Sequence, residues 1–272
     1  PPYLFGQTFV NVGTMRNTDF ENDLIVNAIQ TRDFNYTINF VGATNSNKFL
    51  KFSNNEYSGK DYLPTANLES PNNPGHLQRI EEGKRIGNYY TWAYAGVDEK
   101  GDWMVWNKDN TEKISIHDAT EEDKRITGNG LPKFTASLTN TLIYKNWDLT
   151  VYLRGAFGFD LYNVQDLYWG LQTGIANVLT KAYDKNAGIT SGNNVLTDYF
   201  MEKGDYLKLD VVTLGYRFNM NNKWVNPIRL YATGKNLATI TGFKGIDPAT
   251  VQMNGITPGV NMHDSQARRR YY

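Results

Sequence analysis

KFTASLTNTLIYKNWDLTVYLRGAF, Lys133 to Phe157, decides how this chain folds. Two runs of about ten residues alternate on either side of a polar turn at Lys145-Asn146. In the first run Phe134, Ala136, Leu138, Leu142 and Tyr144 share one face, with Thr135, Ser137, Thr139 and Thr141 on the other. In the second, Trp147, Leu149, Val151 and Leu153 oppose Asp148, Thr150, Tyr152 and Arg154. Side chains that repeat every second residue over this length specify strands, not helices. The apolar rows carry aromatics at their ends, and the polar rows carry small hydroxyls with a few charges. A transmembrane barrel strand has this composition: lipid on one side, water on the other, rings at the interface. A soluble sandwich with one wet face alternates in a similar way, so the hairpin alone leaves both architectures open.

Two further ribbons share this pattern. Residues 18–30 and 34–44 pair around Thr31-Arg32-Asp33, with Phe34, Tyr36, Ile38 and Phe40 opposite Asn35, Thr37 and Asn39. Residues 204–218 and 228–237 form the third, with Val212, Leu214, Tyr216 and Phe218 as its outer row and Pro227 just before the return strand, where a missing N–H does least harm. The turns are short, whereas the connections 45–133, 158–203 and 238 onward are long and rich in Asn, Gly, Pro and aromatics. Long connections in a compact domain mark functional loops, and short turns at one end with long loops at the other are the mark of outer-membrane barrels. The first long loop carries its own hairpin signal, Tyr89–Val97 returning through Trp103–Trp106 across DEKGD.

Composition narrows the function. Among 272 residues the formal charge is zero, which removes any bulk electrostatic case for nucleic acid. Aromatics make up 14%, with 18 Tyr and 6 Trp, a large supply of interface and binding rings. Mean hydropathy is −0.54, and no window reaches the roughly 18 apolar residues of a membrane helix. Neither fact opposes a barrel, whose lumen and loops are polar. Cysteine is absent, excluding disulfides and thiolate metal sites and fitting a secreted or envelope protein. Six strands cannot close a membrane barrel, which needs about eight. An open edge in lipid would strand backbone groups at several kcal/mol each, so on the membrane reading other strands complete this wall.

Five blocks then resemble a known family in order: NVGTMRNTDFE (11–21), GVDEKGD (96–102), GNGLPKFTASLTNTLIYKNWDLTVYLRGAFGFDLYN (128–163), YFMEKGDYLKLDVVTLGYRF (199–218) and RLYATGKNLATITGFKGIDP (229–248). They are similar to SusC-like TonB-dependent transporters (SusC/RagA) of Bacteroidetes outer membranes. The resemblance implies an all-β fold, an antiparallel transmembrane β-barrel segment of about six strands from a large plugged barrel of roughly 22 strands, with long extracellular loops. It places residues 1–272 in the C-terminal part of such a barrel, with the plug, the TonB box and the last strand expected outside this stretch. It implies import of a nutrient, usually a glycan oligomer and sometimes a peptide. It also implies a SusD-like surface lipoprotein lid, energy from TonB acting through the plug, a dimeric SusCD-type complex, and no enzymatic step or cofactor.

The candidate substrate-binding residues are the loop aromatics Trp92, Trp103, Trp106, Tyr168 and Trp169, since a sugar's C–H face stacks on such rings, together with Arg154 on the polar wall face. The competing reading is that the rings pack the loops together or meet the lid protein, and that Arg154, Lys208 and Asp210 form wall or plug ion pairs. DEKGD (98–102) has oxygen ligands and a Gly, but it lacks the twelve-residue spacing and closing Glu of a calcium loop and reads as a hairpin turn. Glu121-Glu122-Asp123 reads as a solvated loop start, and Asn35-Tyr36-Thr37 as a chance glycosylation triplet within a strand. His76, His117 and His263 have no ligand spacing, and no nucleophile elbow, Walker loop or dinucleotide fingerprint is present. Arg268–Arg270 reads as a loop contact with lipopolysaccharide or a partner. Two other functions remain open at this point, a soluble polysaccharide-binding β protein and a surface glycan hydrolase.

Overall fold

In the computed structural model, the described residues are 13–52, 61–68, 73–172, 177–220, 227–250 and 255–260. The expected turn residues 221–226, His263 and Arg268–Arg270 lie outside them. In chain order the strands are β1 (Thr14–Gln30), β2 (Phe34–Lys51), β3 (Tyr62–Leu68), β4 (Gly75–Glu81), β5 (Asn88–Trp92), β6 (Tyr94–Val97), β7 (Trp103–Trp106), β8 (Lys113–Ser115), β9 (Lys124–Asn129), β10 (Phe134–Tyr144), β11 (Trp147–Phe157), β12 (Asp160–Tyr162), β13 (Met201–Lys203), β14 (Tyr206–Phe218) and β15 (Ile228–Thr241). One short helix, α1 (Val164–Trp169), follows β12.

The three ribbons join into one six-stranded antiparallel sheet in the order β1-β2-β10-β11-β14-β15. Register fixes which residues share a face. Leu138 lies between Phe40 and Leu153, and Leu142 between Tyr36 and Leu149. Val151 pairs with Val212, and Trp147 with Tyr216. This apolar face is bounded at both ends by rings. At the short-turn end Phe34 meets Tyr144 at 6.5 Å, Trp147 meets Tyr216 at 4.7 Å, and Tyr216 meets Phe218 at 4.7 Å. At the long-loop end Phe134 stacks on Phe157 at 6.1 Å. From Phe134 to Tyr144 is ten strand steps, about 33 Å along the strand and about 25 Å along the axis of a barrel tilted near 40°. That is the height of a transmembrane barrel's apolar band. Asn140 falls in the middle of this face, and its Oδ1 accepts from the Tyr36 hydroxyl at 2.7 Å; Thr44 and Asn22 share the face toward its long-loop end.

The other face is hydroxyls, amides and matched charges. Arg154 donates from Nε to Asp210 at 2.6 Å, with its Nη1 3.2 Å from the Tyr206 hydroxyl. Asp210 reaches it from a bulge, where β14 fits one extra residue between Leu209 and Val211 opposite Leu153 and Tyr152 of β11. Lys208, 3% exposed, pairs with Asp247 at 2.7 Å. Arg229 on β15 reaches across β14 to Asp148 on β11, Nε to Oδ1 at 2.9 Å. The strand it crosses offers Gly215 there, where an added Cβ would come 2.6 Å from Arg229 Nη2 and 2.7 Å from the Asp148 carboxylate. The glycine is what lets this ion pair bridge three strands.

β1 and β2 run further than the alternation over 18–30 and 34–44 predicts. The last hydrogen bond joining β2 to the wall is Asn45 N–H to Lys133 C=O, 3.1 Å. Beyond it the ribbon continues on its own. Its far end is tied to the turn after β4: Asn47 Oδ1 accepts from Ile86 N–H at 2.8 Å, Gly83 N–H donates to Phe49 C=O at 2.7 Å, and Phe49 N–H donates to Lys84 C=O at 2.9 Å.

The long connections carry sheets of their own, β3-β4-β5-β9 and β6-β7-β8, with β12-β13 beside them. Here the predicted loop hairpin is corrected. Only Tyr94–Val97 returns through Trp103–Trp106. Asn88–Trp92 pairs with β9 instead, and Trp92 N–H turns away to Leu196 C=O at 3.1 Å. The main buried core lies in this loop lobe, around Leu77, Tyr89, Trp103, Tyr162, Leu167, Tyr168, Leu196 and Phe200. Among the described residues the wall strands join only a small second cluster at their loop end, where Ala156 and Tyr206 pack with Phe159, Leu161 and Phe243, while Leu214, Leu230 and Ile240 stand 47%, 68% and 72% exposed.

Candidate functional site

Most of the predicted binding residues sit in the loop lobe, and their environments divide them. Trp103, on β7, is 0% exposed. Its ring meets Tyr94 and Tyr199 at 5.7 Å and Phe200 at 5.8 Å. Tyr168, on α1, is 1% exposed, and burial pushes its phenol up to about 12. Buried in the core cluster of the lobe, these two are packing residues. Trp92, Trp106 and Trp169 keep partial exposure. The Trp92 indole is already engaged, its Nε1 donating to Thr120 C=O at 3.0 Å and Lys124 Nζ standing 4.0 Å from the ring centroid. Lys113 Nζ lies 5.5 Å over Trp106, and Trp169 lies 6.5 Å from Tyr168. Arg154 is on the wall, bound to Asp210, apart from these rings in the fold.

DEKGD forms a turn. Asp98 Oδ1 accepts from the N–H groups of Lys100 and Asp102, both at 2.8 Å. Gly101 C=O accepts from Thr190 N–H at 3.0 Å, docking this tip on the second long loop. Asp102 holds His117 Nε2 at 2.8 Å, and this contact with the Ser191 hydroxyl keeps its carboxyl below the usual range. No group of three or more His, Asp or Glu side chains able to hold a metal occurs among the described residues. Glu121-Glu122-Asp123 is a capped turn: Asp123 accepts from Thr120 N–H at 2.8 Å and Lys108 N–H at 2.9 Å.

Two arrangements carry no signal in the linear sequence. The first is a clamp on residues 258–260. Gln78 Nε2 donates to Pro258 C=O at 2.6 Å, the Tyr89 hydroxyl donates to Gly259 C=O, and Val260 bridges Tyr162. Gly130 has no room for a Cβ, which would fall 2.8 Å from the Pro258 carbonyl carbon. This clamp joins all three long connections. The second is a cleft of about 330 Å³ on the exposed face of β3-β4-β5-β9. The Arg79 guanidinium is sandwiched there between Tyr62, at 4.2 Å, and Tyr90, at 3.8 Å, with Nε on Glu81 at 2.7 Å. Beside it, Lys124 lies on Trp92 and pairs with Glu121 at 2.5 Å. Strand alternation places Tyr90 with Trp92 on one face, but nothing local brings residues 62, 79, 90 and 124 together.

No family model matches the chain. The TonB-dependent receptor P3 of Formosa agariphila is 27% identical over 266 residues, covering 88% of this chain and 25% of the relative. The TonB-dependent receptor SusC of Bacteroides thetaiotaomicron is 25% identical, covering 88% of this chain and 24% of the relative. This chain thus spans about a quarter of the length of these curated relatives. Among solved structures, the RagAB peptide importer in its closed-closed state superposes with a TM-score of 0.71 at 19% identity, over 92% of this chain and 29% of that one. The RagAB peptide transporter gives 0.69 over 92% of this chain. The resemblance in the five sequence blocks therefore extends along most of the chain, and the six-stranded sheet is a segment of the same barrel fold.

Proposed function

We propose, for a chain that resembles SusC-like TonB-dependent receptors along most of its length, that it forms part of the wall and extracellular mouth of an outer-membrane importer of nutrient oligomers. The observation that carries this reading is the wall itself. It has an apolar face about 25 Å tall between two rows of rings, an ion-paired polar face, and two outer strands, β1 and β15, with no further neighbour among the described residues. A soluble polysaccharide-binding sheet would have to cover the apolar face with protein, and Leu230 and Ile240 are open.

On this reading residues 1–272 are the C-terminal part of the barrel. The remaining strands, plug and TonB box are supplied by the rest of the polypeptide. The lobe faces a SusD-like lipoprotein lid in a dimeric complex. No covalent chemistry is performed: cargo is held by stacking and hydrogen bonding, then released inward when TonB moves the plug. The partly exposed rings of Trp106 and Trp169 support a glycan cargo, while the likeness to a peptide importer favours peptides as a second reading. The test is deletion of the full-length gene in its host, with growth and labelled-oligomer uptake measured with and without TonB. TonB-dependent loss of uptake of one oligomer class supports the proposal. A full-length protein recovered in the soluble fraction, with uptake unaffected by its loss, refutes it.

A further inference from the structure

The cleft on β3-β4-β5-β9 holds two cations whose positions are set by rings. We propose that it is a recognition site for a carboxylate carried by the imported oligomer, an inference that rests on the importer reading for the ligand's origin.

The chemistry follows from how each cation is held. Arg79 lies between Tyr62 and Tyr90 at 4.2 and 3.8 Å, which fixes the plane of its guanidinium. Its Nε–H is taken by Glu81. Of the five N–H donors in a guanidinium, four are left, including the pair at the Nη1/Nη2 end of the fork. A planar fork of fixed orientation is the group that binds a carboxylate by two parallel hydrogen bonds.

Lys124 completes the site. Its side chain is 9% exposed and rests on Trp92, while its partner Glu121 is 76% exposed. The ammonium is therefore fixed and its carboxylate is on the outside, in a pair of the kind that contributes little when exposed. An incoming carboxylate can take Glu121's place without moving Lys124. Pro64 and Pro74 form rigid rims, and the half-open Tyr62 ring adds an apolar wall. The charged groups lining or flanking the cleft are Arg79, Lys124, Glu81 and Glu121, and His76, Tyr62 and Tyr90 are its other titratable groups. The ring faces hold the protein's own cations, so Trp92 and Tyr90 act here as seats for positive charge rather than as open platforms for a neutral sugar. The shared ligand chemistry is a carboxylate beside an apolar or ring surface, from either a uronic acid unit or an acidic peptide.

The experiment uses the full-length transporter purified in detergent and isothermal titration with two probe pairs. One pair is trigalacturonate and its methyl ester; the other is a Glu-containing tetrapeptide and its Gln counterpart. We expect one acid to bind about tenfold tighter than its neutral partner, the pair that shows this identifying the source. That ratio should fall to near one in Arg79→Gln and in Lys124→Gln, two independent substitutions whose folding is checked by heat-modifiable mobility. Equal binding of acid and neutral probe in the unaltered protein, no binding of either acid, or a ratio that survives both substitutions would overturn the site. Uptake in cells separates this from the importer reading. A protein that discriminates acids but restores no TonB-dependent uptake keeps the site and refutes the importer; one that restores uptake without discriminating refutes only the site.

Discussion

Asn140 shows how one residue can threaten a membrane wall and how one neighbour rescues it. It sits in the apolar row between Leu138 and Leu142, where an unpaired amide would have no water to turn to. The Tyr36 hydroxyl, on the adjacent strand, satisfies its Oδ1. Tyr36→Phe keeps the ring and removes the donor, so the full-length barrel should lose about 1–3 kcal/mol in urea titration in lipid vesicles. In an Asn140→Leu background the same change should cost close to nothing. Asp123 gives a residue-scale prediction in pH. The Thr120 N–H, then the Thr120 hydroxyl and the Lys108 N–H, hold its carboxyl below its ordinary value against the effect of burial. A depressed folded value means the stabilisation is complete above about pH 4, the unfolded value, and is lost as pH falls through the lower folded one. Amide exchange at Thr120 and Lys108 should accelerate over that acid range in the native protein, and Asp123→Asn should flatten the dependence. Sequence could not separate Trp103 from Trp92. Both lie in loop segments rich in rings and alternation. What buries one and leaves the other half open is contact with Tyr199 and Phe200, about a hundred residues away, which no local pattern encodes.

At the scale of elements, the wall was legible because each strand carries its own instruction. Period-two alternation sets the faces, and short turns set the register within each ribbon. The joining of ribbons follows from chain order, and the outer row Val212, Leu214, Tyr216 falls opposite Val151, Leu149 and Trp147 as alternation requires. The loop lobe was not legible for the complementary reason. Asn88–Trp92 could pair locally with β7, yet it pairs with β9, and that choice is made by packing on residues 196–197. The face assignment has a direct consequence. Val151 lies mid-strand on the apolar face and Thr150 beside it on the polar one. Val151→Lys should cost about 2–4 kcal/mol and block membrane assembly, while Thr150→Lys should assemble normally. Heat-modifiable mobility of outer-membrane fractions distinguishes the two.

The whole molecule divides its labour between a thin wall and a packed lobe. Six strands that share only a small cluster at their loop end among the described residues depend on lipid at one face and on further strands at both edges. Above them, Tyr89, Gln78 and Gly130 clamp residues 258–260 and hold the three long connections as one body. The candidate cleft is on the outer surface of that body, open to a ligand. This stretch carries no cysteine, so the central claim, lipid against one face and water against the other, is directly measurable by labelling in it once any cysteines elsewhere in the full-length protein are replaced. Single cysteines placed from Trp147 to Phe157 in the full-length protein, carrying an environment-sensitive fluorophore, are reconstituted into vesicles containing brominated lipid. The expected result is alternation with a period of two, with strong quenching at 149, 151 and 153 and weak quenching at 148, 150 and 152. Uniform quenching, or none at 149, 151 and 153, would contradict it.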